Sequence, residues 1–117
     1  MLKLDGKKIY LACGKTDMRK SINGLTAIVE GSFKLDLFGN AVFVFCNYQK
    51  DRIKILEWDS DGFWLYFKRL EKGRFKWPSS VGSETMILSA EDLYLLLGNP
   101  RIIQKLKRQE IKTGAII

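Results

Sequence analysis

The sequence has no histidine, only two cysteines and no long apolar run, and each absence narrows the functions open to the protein. Without histidine there is no Ser-His-Asp or Cys-His triad, no imidazole metal ligand and no histidine general base. Two thiols alone do not supply the four ligands of a cysteine zinc site. The longest apolar run, 41–46, is far shorter than the roughly 20 residues that cross a bilayer.

The two cysteines, Cys13 and Cys46, both lie in apolar segments that resemble strands. Thiols in such segments usually act as small buried hydrophobic side chains, so we expect no disulfide between them. The N-terminus carries charges where a signal peptide has its apolar stretch. The sequence therefore predicts a cytoplasmic protein.

The chain has 117 residues and a formal charge of +7, from 20 basic and 13 acidic side chains. Its length predicts a single domain. We expect this domain to cover 1–100 and to be followed by a basic tail, 101–117, that is either helical or mobile. The charge is uneven, because residues 77–98 carry three acidic side chains and no basic ones. A basic surplus favours a polyanion such as nucleic acid, although ordinary solubility charge also explains it.

Hydrophobic periodicity predicts an α+β fold. Strand patterns occur at 7–13, 42–47, 52–58, 63–69, 74–77 and, more weakly, 85–88. A helical apolar stripe covers 17–31, and a capping box, Ser89 with Asp92, begins a short helix. This order of elements predicts an antiparallel β-meander of four to five strands, with one longer helix packed on it and a short C-terminal helix.

The turn at 59–62 fixes the register of one hairpin. Its sequence favours a three-residue loop with Gly62 in the left-handed region, which pairs Trp58 with Trp64. The alternative two-residue loop places Lys54 beside Phe67, and we reject it because it mixes charged and apolar side chains on one face. The three-residue register brings Lys54, Leu56, Trp58, Trp64, Tyr66 and Lys68 to one face of the sheet.

This face is the leading candidate for a nucleic-acid site. Aromatic rings stack on unpaired bases, and basic side chains follow the phosphates. The predicted binding residues are Lys54, Lys68, Arg69, Lys72, Arg74, Lys76, Trp58, Trp64 and Tyr66. The alternative is that a helix packs over the rings, which then belong to the core.

Three other patterns carry weaker hypotheses. Gly14-Lys15-Thr16 lacks the glycine that a phosphate-binding loop requires, although a helix beginning near Asp17 would place Lys15, Arg19 and Lys20 around an anion. The acids Asp17, Asp59, Asp61 and Glu71 are the only candidates for a metal-dependent nuclease. Turn chemistry explains Asp59 and Asp61 better, so we predict no metal, no cofactor and no catalytic residue.

Three segments together resemble a known family. They are TDMRKSINGL at 16–25, VFVF at 42–45 and DRIKILEWDSDGFWLYFKRLEKGRFKWP at 51–78. They resemble the TnpB-type accessory protein that is encoded by the second reading frame of bacterial insertion sequences of family sixty-six. The resemblance covers about 7–98 and implies a role in transposition beside a larger transposase and another small accessory protein.

The residues and the resemblance together predict a non-enzymatic accessory factor in transposition that contacts DNA, the transposase or both. The alternative is a protein-interaction module that does not touch nucleic acid, since Trp and Tyr also anchor protein interfaces.

Overall fold

The computed structural model describes residues 2, 4–79 and 82–98. The predicted tail, 101–117, lies outside them. The helices are α1 (Ile22–Ala27), which continues as a π-helical turn (Ile28–Ser32), and α2 (Ala90–Leu97). The strands are β1 (Lys8–Ala12), β2 (Ala41–Cys46), β3 (Arg52–Asp59), β4 (Gly62–Arg69) and β5 (Thr85–Leu88).

The five strands form one mixed sheet in the order β4-β3-β2-β1-β5. Strands β2, β3 and β4 are an antiparallel meander, and β5 is antiparallel to β1. Strands β1 and β2 are parallel, because α1 connects them as a crossover that brings the chain back to the same end. The α+β class and the five strands are confirmed. The prediction of a wholly antiparallel sheet was wrong, because β1 and β2 are parallel.

Both faces of the sheet are covered. On one face Leu25 and Val29 of the α1 segment pack with Phe43, Phe45 and Leu56 of the sheet. The other face packs against α2 and the segment after β4. Its buried members are Leu4, Ile9, Leu11, Val42, Val44, Cys46, Ile53, Ile55, Phe75, Trp77 and Leu93. Every residue of β2 is buried, which confirms the prediction of a central strand covered on both sides.

The two predicted helices differ in how well their starts were predicted. Helix α2 begins with the predicted capping box, in which the Asp92 backbone N–H donates to Ser89 Oγ at 3.0 Å. Helix α1 begins at Ile22 rather than near Asp17. Asp17 instead accepts the backbone N–H of Arg19 at 2.9 Å and closes a local turn. Its carboxylate satisfies a backbone donor two residues on, which competes with helix formation.

The hairpin has the register that the sequence reasoning rejected. A two-residue loop pairs Asp59 with Gly62, Trp58 with Phe63 and Lys54 with Phe67. Ser60, with φ +55°, takes the left-handed conformation predicted for Gly62, which is not among the residues with positive φ. Burial does not decide between the registers because both faces are covered. The predicted face is therefore split: Lys54, Leu56 and Trp58 face α1, whereas Trp64, Tyr66 and Lys68 face the other layer.

Residues 74–77 are not a strand, although the apolar alternation that suggested one is real. Phe75 and Trp77 are buried in the core, and the Trp77 indole N–H donates to the carbonyl of Ala12 at 2.8 Å. The Trp77 side chain and a single backbone hydrogen bond, from Phe75 N–H to the carbonyl of Lys50, hold this segment in place of a strand ladder. In the described part of the chain, no helix is long and apolar enough to cross a membrane.

Candidate nucleic-acid interface

Three loops meet at one end of the sheet. Because β1 and β2 are parallel, the loops that follow them emerge at the same end of the sheet, where β3 begins and β4 ends. The third loop is the segment that follows β4. Backbone hydrogen bonds join the loops: Thr16 N–H donates to the carbonyl of Cys46 at 2.7 Å, and Phe75 N–H to that of Lys50 at 2.7 Å. Gly14 N–H also donates to the carbonyl of Pro78, at 2.9 Å. The three loops therefore form one connected surface.

This surface contains an open groove of about 870 Å³, called here the main groove. It lies between the loop after β1, the loop after β2 and the adjoining parts of β3 and β4. Its lining residues are Lys15, Thr16, Asp17, Met18, Arg19, Asn47, Tyr48, Gln49, Arg52, Lys54 and Phe67. Four of these are basic and one is acidic, so the main groove favours an anion.

Lys54 positions one wall of the main groove. Its ammonium group donates to the backbone carbonyls of Met18 at 2.9 Å and Lys20 at 2.8 Å. The same wall carries a bidentate pair, in which Arg19 Nε and Nη2 donate to Asp17 Oδ2 at 3.0 and 2.7 Å. These hydrogen bonds with Arg19 lower the pKa of Asp17 from 3.8 to about 2, so the carboxylate stays ionised and its charge offsets that of Arg19.

The opposite wall is the loop after β2, and hydrogen bonds of Asn47 hold it together. Asn47 is buried, and its side-chain oxygen accepts the backbone N–H groups of Asp51 and Arg52, both at 3.0 Å. Its amide nitrogen donates to Asp51 Oδ1 at 2.7 Å, and this hydrogen bond lowers the pKa of Asp51. The loop holds Tyr48 outward, 72% exposed, with the Lys15 ammonium 5.2 Å from its ring centre.

A cavity of about 350 Å³ on the side of the α1 segment shares Lys15, Thr16 and Asp17 with the main groove. Two other cavities extend the groove toward the segment after β4. One of about 290 Å³ shares Lys15, Asn47 and Tyr48 with it and adds Lys50 and Trp77. The next, of about 660 Å³, shares Lys50 and Trp77 and is also lined by Arg74 and Lys76. We call the main groove and these two cavities together the basic track. Its basic side chains are Lys15, Arg19, Lys50, Arg52, Lys54, Arg74 and Lys76, and its acidic ones are Asp17 and Asp92.

Only three of the nine predicted binding residues lie on the basic track: Lys54, Arg74 and Lys76. Lys72 is exposed in the bend after β4, and Arg69 pairs with Glu71 at 2.8 Å. Lys68 donates to the carbonyl of Leu97 at 3.3 Å. These three basic side chains are close to the track in sequence but do not line its cavities.

The three predicted aromatic residues have partners within the protein. Trp58 packs edge-on against Phe38, with ring centres 4.9 Å apart. Trp64 stacks on Tyr66 at 6.2 Å, and its indole N–H donates to Asp59 Oδ2 at 3.0 Å. The Tyr66 hydroxyl donates to the buried carboxylate of Glu57 at 2.9 Å. The alternative in which these rings belong to the protein's own packing fits Trp58 best.

Sequence reasoning missed Tyr48, Lys50, Arg52 and Phe67 as members of the site. The signal was present, because Tyr48-Gln49-Lys50-Asp51-Arg52 places an aromatic ring in a turn directly before two basic residues. Lys15 and Arg19 were named for an anion site at a helix N-terminus. They do line the track, but through the loop after β1, since no helix begins there.

The candidate acids and thiols are engaged locally. Asp17 pairs with Arg19, Asp59 accepts from Trp64, and Glu71 pairs with Arg69. Among the described residues, no three His, Cys, Asp or Glu side chains lie close enough to hold a metal ion. Cys46 is buried and Cys13 half-buried, and neither is in a disulfide. Burial raises the pKa of the Cys46 thiol to about 11, so it stays protonated at neutral pH.

Fold and site together define a small α+β protein with a basic track at one end of a mixed sheet. The chain belongs to the family described as IS66 Orf2 like protein, which matches residues 7–107. This confirms the resemblance seen in the sequence and makes the chain an accessory protein associated with insertion sequences.

Two proteins of Sinorhizobium fredii (strain NBRC 101917 / NGR234) are similar to this chain. Uncharacterized protein y4hO is 36% identical over 91 residues, which are 78% of this chain and 79% of that protein. Uncharacterized protein y4jC is 34% identical over 92 residues, which are 79% of this chain and 78% of that protein. No solved structure matches the chain.

Proposed function

We propose that this accessory protein serves transposition by contacting DNA through the basic track. The observation that carries the proposal is the joining of three cavities into one surface that has seven basic side chains against two acidic ones. Of the two acids, Asp17 is paired with Arg19, and Asp92 belongs to the capping box of α2. Arg52 also has a carboxylate partner, Asp51, at 3.6 Å, whereas the other five basic side chains of the track are in no ion pair among the described residues. This net positive charge suits a phosphate backbone.

A salt series tests the proposal with matched charge removal. Fluorescence anisotropy measures binding of labelled DNA to the parent and to Arg74→Gln/Lys76→Gln. The control, Lys8→Gln/Lys34→Gln, removes the same charge from exposed positions that line none of the track's cavities. On duplex DNA each phosphate contact makes the slope of log K against log salt more negative by about 0.9. The slope of the track variant should therefore be shallower than that of the parent by nearly two units.

The control separates a site from general attraction. We expect Lys8→Gln/Lys34→Gln to keep a slope close to that of the parent. Equal losses in the two double variants would mean that net charge alone attracts DNA, and the track would not be the interface. A parent protein that binds no DNA at low salt would contradict DNA contact altogether.

A second candidate function, docking on the transposase, is favoured by β5, whose Met86 also lines the 660 Å³ cavity of the basic track. Strand β5 is an edge strand, and Met86 and Ile87 on it are 44% and 63% exposed. An exposed apolar edge suits strand addition by a protein partner. Retention by tagged transposase in nuclease-treated lysate at high salt, lost in Ile87→Lys, supports this function. Retention that nuclease abolishes supports DNA contact instead.

A further inference from the structure

Two exposed aromatic rings line the main groove. Tyr48 is 72% exposed and Phe67 is 56% exposed. Phe67 comes from β4 and Tyr48 from the loop after β2, so they belong to chain segments on either side of β3. Between them β3 supplies Arg52 and Lys54. The main groove therefore combines two rings with a basic floor.

Tyr48 and Phe67 differ from Trp64 and Phe38, two other exposed aromatic side chains, which pack on rings of the protein itself. The exposed Tyr94 also has no ring partner among the described residues, but it lines no cavity of the basic track. Trp64 stacks on Tyr66, and Phe38 packs against Trp58. Within the residues that the structure describes, Tyr48 and Phe67 stack on no other aromatic side chain. Tyr48 instead has a cation–π contact with the Lys15 ammonium. Two exposed rings beside cations fit a ligand with flat, apolar faces and negative charge.

We propose that the main groove binds an unpaired nucleic-acid strand, with bases stacked on Tyr48 and Phe67 and phosphates held by Lys15 and Arg52. This inference rests on the proposed DNA contact and specifies which form of DNA the site takes.

The shape of the site favours a single strand over a duplex. Reading a duplex through its major groove takes a protruding helix or two-stranded ribbon. The main groove is concave and is formed by loops and strand ends. A concave, basic surface with exposed rings is the arrangement of proteins that bind single strands, where each base has a face to stack. The paired bases of a duplex do not offer these faces.

The test compares two probes and two kinds of aromatic variant. The probes are a labelled oligothymidylate of about 12 nucleotides, within the site size of one single-strand-binding fold, and a duplex of equal length. The variants Tyr48→Leu and Phe67→Leu remove a ring, and Tyr48→Phe keeps one. Trp64→Leu is the control, since Trp64 is exposed but lies by the turn at the far end of β4. Circular dichroism checks that each variant is folded.

We expect Tyr48→Leu and Phe67→Leu each to weaken binding of the oligothymidylate at least about fivefold, the lower limit for one stacked base. Binding by Tyr48→Phe and Trp64→Leu should stay close to that of the parent, and the parent should prefer the oligothymidylate to the duplex. Folded leucine variants that bind the oligothymidylate as tightly as the parent would overturn the inference. So would a loss equal to theirs in Trp64→Leu.

The failure of this inference is distinguishable from failure of DNA contact. If the leucine variants bind normally while Arg74→Gln/Lys76→Gln still flattens the salt dependence, the track binds phosphates and Tyr48 and Phe67 do not stack. A parent that prefers the duplex contradicts the single-strand proposal and leaves DNA contact standing. A parent that binds neither probe contradicts both.

Discussion

The ammonium nitrogen of Lys54 lies 2.9 Å from the backbone carbonyl oxygen of Met18, although 36 positions separate the two residues in the sequence. The same nitrogen lies 2.8 Å from the carbonyl oxygen of Lys20. Lys54 thus holds the loop after β1 against β3. The sequence suggested Lys54 as a phosphate ligand. In the structure it supports the wall of the main groove that carries Arg19.

The support by Lys54 predicts that Lys54→Met destabilises the fold. The substitution keeps most of the aliphatic stem but leaves two backbone carbonyls without their charged donor, so the free energy of unfolding should fall by about 1–3 kcal/mol. Urea unfolding monitored by tryptophan fluorescence measures the change. Lys72→Met is the control, since Lys72 is exposed and has no such contact among the described residues. Equal midpoints for the two variants would contradict the supporting role.

The turn between β3 and β4 offers a direct test of the hairpin register. Ser60 has φ +55°, a conformation that costs a non-glycine residue about 1–2 kcal/mol. Ser60→Gly should therefore raise the free energy of unfolding. Gly62 has no positive φ and open space around an added Cβ, so Gly62→Ala should change stability by less than about 0.5 kcal/mol. If Gly62→Ala destabilised the fold and Ser60→Gly had no effect, the result would support the three-residue loop instead.

The pair of Asp17 and Arg19 predicts a pH dependence at the edge of the main groove. The pKa of Asp17 is depressed from 3.8 to about 2, so the contribution of the pair to stability is present above pH 4 and is lost as pH falls through 2. Carboxyl NMR titration of Asp17 should show this low pKa in the parent and a value returned toward 3.8 in Arg19→Gln. Arg69→Gln, which removes the similar exposed pair with Glu71, should leave the Asp17 titration unchanged.

A buried network on the α2 side of the sheet predicts the largest loss of stability. Glu57 is 2% exposed, and its carboxylate binds the Lys7 ammonium and the Tyr66 hydroxyl. Glu57→Ala leaves both partners without their acceptor and should cost about 3–5 kcal/mol in the free energy of unfolding. Tyr66→Phe removes one hydrogen bond and should cost only about 1 kcal/mol. Similar losses in the two variants would contradict the role of Glu57 as the centre of the network.

The same network predicts how Tyr66 titrates. Burial and the hydrogen bond to Glu57 raise the pKa of Tyr66 above its usual value of 10. The folded state therefore keeps the phenol proton at a pH where the unfolded chain loses it, so this contribution to stability is full below pH 10 and declines above it. Phenolate absorbance should show one tyrosine that is missing from the titration near pH 10. Tyr66→Phe should abolish the difference.

Much of the fold was predictable because local patterns agree with it. The strands at β1 to β4, the capping box of Ser89 and Asp92, and the fully apolar β2 all follow from residue spacing. The start of α1 was not predictable in this way. The Asp17 carboxylate accepts a hydrogen bond from the Arg19 backbone N–H and turns the chain where helical spacing suggested a helix. Segment 74–77 was misread because alternating burial of Phe75 and Trp77 looks the same in a strand and in an extended loop.

The candidate site was less predictable than the fold. Its members come from loops far apart in the sequence, and their meeting depends on the parallel pairing of β1 with β2. The sequence suggested basic residues of 68–76, but it gave no means to see that Lys15 and Tyr48 face the same groove. The register error compounded this, because one slipped residue moved Trp64 and Tyr66 to the face of Lys54.

The sequence by itself determined the family, the α+β class, the positive charge and the elements whose patterns are local. Tertiary structure alone decided which face each residue of β3 and β4 occupies and which loops share an end of the sheet. The physical reason is that periodicity reports whether a side chain is buried, not against what. With both faces of the sheet covered, two registers bury apolar side chains, and the difference lies in long-range partners. Those partners are the carbonyls of Met18 and Lys20 for Lys54, and Lys7 for Glu57.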